Sequence, residues 1–117
     1  MHKALVIDDD EPIREIFEVL LKKAGYEVHM LEDGEELLAH DFEEPDVFII
    51  DKQLRGIDGL DICRYLKQRA RHANTPVIIV SASNRVEQQA RDAGADAFLP
   101  KPFKSKQLLE LLTKSIR

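Results

Sequence analysis

Acidic, hydroxyl and ammonium groups stand at the ends of four apolar runs in this sequence. Ala4 to Ile7 runs into Asp8-Asp9-Asp10, Val47 to Ile50 into Asp51, Val77 to Val80 into Ser81, and Ala97 to Leu99 into Pro100-Lys101. Short apolar, β-branched runs read as buried strands, and open α/β sheets place their ligands beyond the carboxyl ends of their strands. If the first and third runs are neighbours, Asp8, Asp9 and Asp51 converge. A few hard oxygen donors with room for water suit Mg2+, and a divalent cation relieves the repulsion among close carboxylates. A carboxylate such as Asp51 can act as a nucleophile towards phosphorus. Phosphoryl transfer asks a protein chiefly for positioning and for neutralisation of the equatorial oxygens, to which Lys101 and Ser81 could contribute.

The segments between these runs read as helices. Pro12 suits the start of a helix, with Asp10 or Glu11 as its cap, and Ile13, Ile16, Phe17, Leu20 and Leu21 recur at helical spacing before Gly25. Glu27 to Leu31 mixes polar and apolar residues, as an edge strand does. A short helix over 34–40 carries Leu37, Leu38 and Ala39, and Glu43-Glu44-Pro45 punctuates before Val47. After the loop 52–58, Leu60, Cys63, Leu66 and Ala70 fall on one face of a third helix. Asn74-Thr75-Pro76 marks a turn. Asn84 and Glu87 have the spacing of a capping box for a helix that uses Val86, Ala90 and Ala93 and stops at Gly94. A fifth strand over 96–99 precedes a last helix from about Ser105, with Leu108, Leu111, Leu112 and Ile116 on its apolar face. Five strands alternating with five helices predict a doubly wound α/β fold, a parallel sheet covered on both faces.

Composition narrows the function. The chain has 117 residues, 44% hydrophobic and 33% charged, which fits one globular domain spanning 1–117. A net charge of -5 argues against a nucleic-acid or anionic-membrane surface. The single Cys63 excludes an internal disulfide, no apolar stretch has the length of a membrane span, and nothing at the start resembles a signal peptide. A cytoplasmic location is expected. His2, His29, His40 and His72 have no metal-ligand spacing to one another or to Cys63, which reads as a packed core residue.

Four features together resemble the receiver domain of two-component response regulators: Val6 to Asp10, Asp51 followed by Asp58-Gly59, Ile79 to Ala82, and Leu99 to Phe103. The resemblance covers essentially the whole chain. It implies the flavodoxin-like fold with strand order 2-1-3-4-5. It also implies that Asp51 is the phosphoacceptor, taking a phosphoryl group from a phosphohistidine of a sensor histidine kinase or a histidine phosphotransfer protein. Asp8, Asp9, Asp51 and the backbone carbonyl of Gln53 would hold Mg2+, Ser81 would be the switch hydroxyl, and Lys101 would pair with the phosphate. Phe98 would be the aromatic switch, and Lys101-Pro102 a cis peptide. Output would run through the fourth helix, fifth strand and fifth helix, where Val86, Ala90, Phe98 and Leu109 lie, to a downstream protein effector or an effector domain missing from this chain. The first helix, with Pro12, Ile13 and Phe17, would dock the phosphodonor.

The sequence departs from the family's pattern in the loop after Asp51, where Leu54-Arg55 stands in place of the usual Met-Pro pair. Phe98 lacks the hydroxyl of the tyrosine often found there, and the switch hydroxyl is serine where threonine is also common. Two other functions share some of these residues. A phosphatase of the haloacid dehalogenase type would use Asp8 as nucleophile and Asp10 as acid/base, and a degenerate receiver would act by binding alone.

Overall fold

The computed structural model describes residues 2–39 and 44–116. His40 and Glu43, assigned above to a helix end and a turn, lie outside the described residues. Five strands are β1 (Lys3–Ile7), β2 (Glu27–Leu31), β3 (Val47–Asp51), β4 (Val77–Ser81) and β5 (Ala97–Pro100). They alternate with α1 (Glu11–Lys23), α2 (Gly34–Ala39), α3 (Gly59–Gln68), α4 (Val86–Asp92) and α5 (Ser105–Ser115). All the strands pair in parallel, in the order β2-β1-β3-β4-β5. This is the flavodoxin-like order that the resemblance implies. Because β1 leads to β2 on one side and β3 lies on the other, the chain reverses its winding at the β1–β3 junction, where a crevice must open.

Side chains alternate across the sheet and define two cores. Ala4, Val6, Val47, Ile49, Ile78 and Val80 pack with Phe17 and Leu21 of α1 and Leu108 and Leu112 of α5. Leu5, Ile7, Phe48, Ile50, Val77 and Ile79 pack with Leu37 of α2, Leu60, Ile62, Cys63 and Leu66 of α3, and Val86 and Ala90 of α4. β3 and β4 are buried at every residue, which is why they read as unbroken apolar runs. β2 lies at the sheet edge and alternates exposed with partly buried residues. Gly25 follows α1 at φ +88°, the left-handed geometry that lets the chain turn back into β2.

Several details differ from the sequence expectations. α3 ends at Gln68, because Arg69 turns extended, so Ala70 lies exposed beyond the helix and Ile62 fills the core instead. The capping box at Asn84 does not form. Glu87 donates its N–H to the Asn84 carbonyl, and its carboxylate accepts from Arg91 at 2.9 Å. Asp10 occupies the N-cap position of α1, but its side chain bonds no helix N–H. In α1 the buried face is Phe17 and Leu21, and Ile16 points outward at 47% exposure. Phe17 is 1% exposed and stacks on Phe103 at 5.1 Å, so it belongs to the core and offers nothing to a docking partner. Val86 and Ala90 are likewise core residues of the sheet–helix interface, so of the side chains named for the output face only Leu109 is exposed and Phe98 partly so. Among the described residues no helix is long and apolar enough to cross a membrane.

Candidate functional site

Strand register brings the polar strand ends together. Ile7 lies beside Ile50, Asp51 beside Val80, and Ser81 beside Pro100, so the residues that follow emerge along one edge. Backbone bonds extend the ladder past the strands: Asp8 N–H donates to the Leu31 carbonyl, Lys52 N–H to Val80 at 2.9 Å, and Lys101 N–H to Ser81 at 2.8 Å. Asp8, Asp9, Asp10, Asp51, Gln53, Ser81, Ala82 and Lys101 line one cleft at this edge. Phe98 does not line it. That ring is half-buried on β5 and packs against the core beneath α2, α3 and α4.

The ε-ammonium of Lys101 sits between two buried carboxylates, 3.0 Å from Asp51 Oδ1 and 3.2 Å from Asp8 Oδ2. The other Asp8 oxygen accepts the N–H of Asp10 at 2.9 Å. Asp9 is more open and faces Arg55, whose Nε lies 3.6 Å from its Oδ2. One oxygen from each of Asp8, Asp9 and Asp51 falls within 4.8 Å of the others, so a single ion could touch all three. The donor set is carboxylate oxygen throughout, the chemistry that Mg2+ selects. Ser81 is buried, and its Oγ accepts the N–H of Ser83 at 3.1 Å, close by the acidic group.

The electrostatics follow from burial. Loss of solvent pushes the Asp51 carboxyl up from its ordinary 3.8 to about 6, with Asp8 and Asp9 pushing the same way and Lys101 opposing. Burial pulls the Lys101 ammonium down, but its bonds to Asp51 and Asp8 outweigh that and leave it raised. The site is thus charge-dense, with an excess of negative charge that a cation would satisfy.

Local structure holds Asp51 in place. Asp58 caps α3 by accepting the Leu60 N–H at 2.8 Å, and its carboxylate pairs with Lys52 at 2.9 Å. Gly59 donates its N–H to the Lys52 carbonyl, and a Cβ on it would run into the main-chain carbonyl of Asp51. Only glycine lets α3 start so close behind the acceptor strand. Arg14 of α1 donates to the Asp8 carbonyl at 2.7 Å while its other nitrogen lies 3.7 Å from Glu32, which ties the first loop to α1. Nothing in the sequence marks Arg14 or Arg55 as part of the site. A basic residue near an acidic cluster was visible, but its partner depends on the loop path. Lys101-Pro102 is cis, as the resemblance implies.

The phosphatase reading needs Asp8 free to attack. Instead both of its oxygens are engaged, Oδ2 by Lys101 and Oδ1 by the Asp10 N–H, whereas Asp51 is held by Lys101 through Oδ1.

Comparison with known proteins agrees with this architecture. Residues 4–113 match the response regulator receiver domain family. The response regulator MprA of Mycolicibacterium vanbaalenii is 36% identical over 120 residues, covering 98% of this chain and 50% of that protein. The chain thus spans about half the length of that relative. The chemotaxis response regulator CheY4 of Vibrio cholerae has a TM-score of 0.91 at 30% identity, with 99% of each chain covered. The response regulator protein TrrA of Thermotoga maritima, solved in complex with Mg2+-BeF, has a TM-score of 0.89 at 30% identity, covering 99% of this chain and 100% of that one. With the family matched along nearly the whole chain and the acid-lined edge in the matching fold, the chain belongs to the receiver domains of response regulators, the phosphoacceptors of two-component signalling.

Proposed function

We propose that Asp51 is the phosphoacceptor of this domain and that Asp8, Asp9 and Asp51, with the backbone carbonyl of Gln53, hold Mg2+. The observation that carries this reading is the cleft in which Lys101 bridges Asp51 and Asp8 while Asp9 lies within reach of both acids. Receiver domains interact with histidine kinases and with effector domains. The phosphodonor here is a phosphohistidine of a sensor kinase or phosphotransfer protein, and the output goes to a downstream protein or effector domain.

A carboxylate oxygen of Asp51 attacks the phosphorus of the phosphohistidine. The P–O bond forms, the P–N bond breaks, and its electron pair returns to the imidazole. Lys101 is already within bonding distance of the acceptor and can transfer its N–H bonds to a phosphoryl oxygen. Mg2+, when bound, supplies charge neutralisation at the phosphoryl oxygens and offsets the repulsion of three carboxylates. Ser81 then gives up the Ser83 N–H contact and donates its hydroxyl to the phosphoryl group. Phe98 follows by packing alone, since it has no hydroxyl to bond a partner. Phosphorylation biases an equilibrium between two arrangements of the 81–83 loop and Phe98 and leaves the fold unchanged. The only reactions the chain catalyses are its own phosphorylation and dephosphorylation, and they take place in the cytoplasm.

Intact-mass measurement after incubation with Mg2+ and a small acyl-phosphate donor tests this directly. The expected result is one added phosphoryl group that requires Mg2+ and is absent from Asp51→Asn. An adduct that persists in Asp51→Asn would place the acceptor elsewhere.

A further inference from the structure

Resting on the reading of Asp8, Asp9 and Asp51 as a Mg2+ site, we propose that Arg55 competes with the cation for Asp9 and so weakens the loading of the site. The three carboxylates share two cationic side chains. Lys101 takes Asp51 at 3.0 Å and Asp8 at 3.2 Å, and Arg55 takes Asp9 at 3.6 Å. The two cations differ in how firmly they are held. Lys101 has a side chain only 20% exposed and two carboxylate partners, and it remains in the cleft. Arg55 has a side chain 85% exposed and reaches Asp9 from the solvent side of the loop that follows β3. Gly56, at φ +82°, comes directly after it. An ion that takes Asp9 meets the positive charge of this guanidinium, and Arg55, with its side chain 85% exposed, can swing into water.

An exposed ion pair is worth little, so the competition is a modest, salt-sensitive tuning of affinity. Arg55 stands where the sequence pattern of the family has proline, which carries no charge. The positive charge beside Asp9 is therefore a departure from the family's usual loop and separate from the acceptor chemistry. Its effect should be a function of charge and should not depend on the shape of the side chain.

Isothermal titration of Mg2+ into wild type, Arg55→Gln, Arg55→Lys and Asp9→Asn, without any phosphodonor, tests this. Circular dichroism of each variant checks that it folds. Arg55→Gln should bind Mg2+ about two- to five-fold more tightly than wild type at low ionic strength. The gain should shrink towards nothing near ~1 M salt, where the Debye length falls to about 3 Å. Arg55→Lys, which keeps the charge, should stay near the wild-type affinity. The inference is overturned if Arg55→Gln binds no more tightly, or if Arg55→Lys tightens binding equally, which would point to the loop's shape. Mg2+ binding that survives Asp9→Asn undiminished, or its absence in wild type, would overturn the metal reading itself, and this inference with it.

Discussion

Replacing Asp51 with asparagine should make the metal-free protein more stable, although it removes the proposed acceptor. The Asp51 carboxyl is 7% exposed and shares its cleft with two other acids, so its ionised form is disfavoured and its proton is held up to about 6. Against the ordinary 3.8, that displacement makes the charged form costly at pH 7 by about 3 kcal/mol, at 1.36 kcal/mol per unit. That cost already includes the attraction of Lys101, because the ammonium opposes the shift. Asparagine has nearly the shape of the protonated acid, but it turns an amide donor towards the cleft, so about 1 to 2 kcal/mol of the gain should survive. For a domain of this size that raises the melting temperature by roughly 5 °C. The pH dependence has a definite sign. Between 3.8 and about 6 the folded wild type holds a proton that the unfolded chain has released, so its stability falls as pH rises through that window. The advantage of Asp51→Asn should thus be absent near pH 4 and complete by pH 7. Thermal denaturation followed by far-ultraviolet circular dichroism, in chelator-containing buffer at both pH values, measures it; the chain has no tryptophan to report by fluorescence. Added Mg2+ should narrow the gap by stabilising the wild type more than the variant, which has lost one of the carboxylates. An Asp51→Asn protein less stable than wild type at pH 7, or a gap unchanged between pH 4 and 7, would refute the account of Asp51 as a penalised buried charge.

Three further outcomes follow from the packing. Gly59→Ala should destabilise the fold by about 2 kcal/mol or more in chemical denaturation, since its methyl group must push the start of α3 away from the Asp51 carbonyl; a neutral result would mean that the loop yields freely. Cys63 should resist thiol reagents in the native protein at pH 8 and react once unfolded, because burial pushes its thiol up to about 11 and the group is 0% exposed. Above its ordinary 9.0 the unfolded chain releases a proton that the folded one keeps, so Cys63→Ala should flatten the loss of stability as pH rises from about 9 to 11.

Local sequence carried the strands and the types of residue at their ends. β3 and β4 are covered on both faces, so burial alone wrote them as unbroken apolar runs with an acid or hydroxyl at the last position. The identity of the residues that could do chemistry was legible for the same reason: a polar group that ends a buried strand stands out against what precedes it. Helix faces were less legible. Ile16, Phe17 and Leu21 all fit an apolar periodicity, but the packing of α1 on β1 and α5 buries Phe17 and Leu21 and leaves Ile16 in solvent. Val86 and Ala90 looked available to a partner until the sheet claimed them, and the Asn84 capping pattern lost to a backbone bond and to the pairing of Glu87 with Arg91. Tertiary structure alone decided which charges meet. Lys101 and Asp8 are 93 residues apart in sequence, and only the order β2-β1-β3-β4-β5 brings β5's end across to β1's. The same holds for Arg55 and Asp9. Side-chain type and hydrophobic period are properties of neighbours along the chain, whereas the burial that shifts Asp51 and the cation that answers each carboxylate are set by neighbours in space.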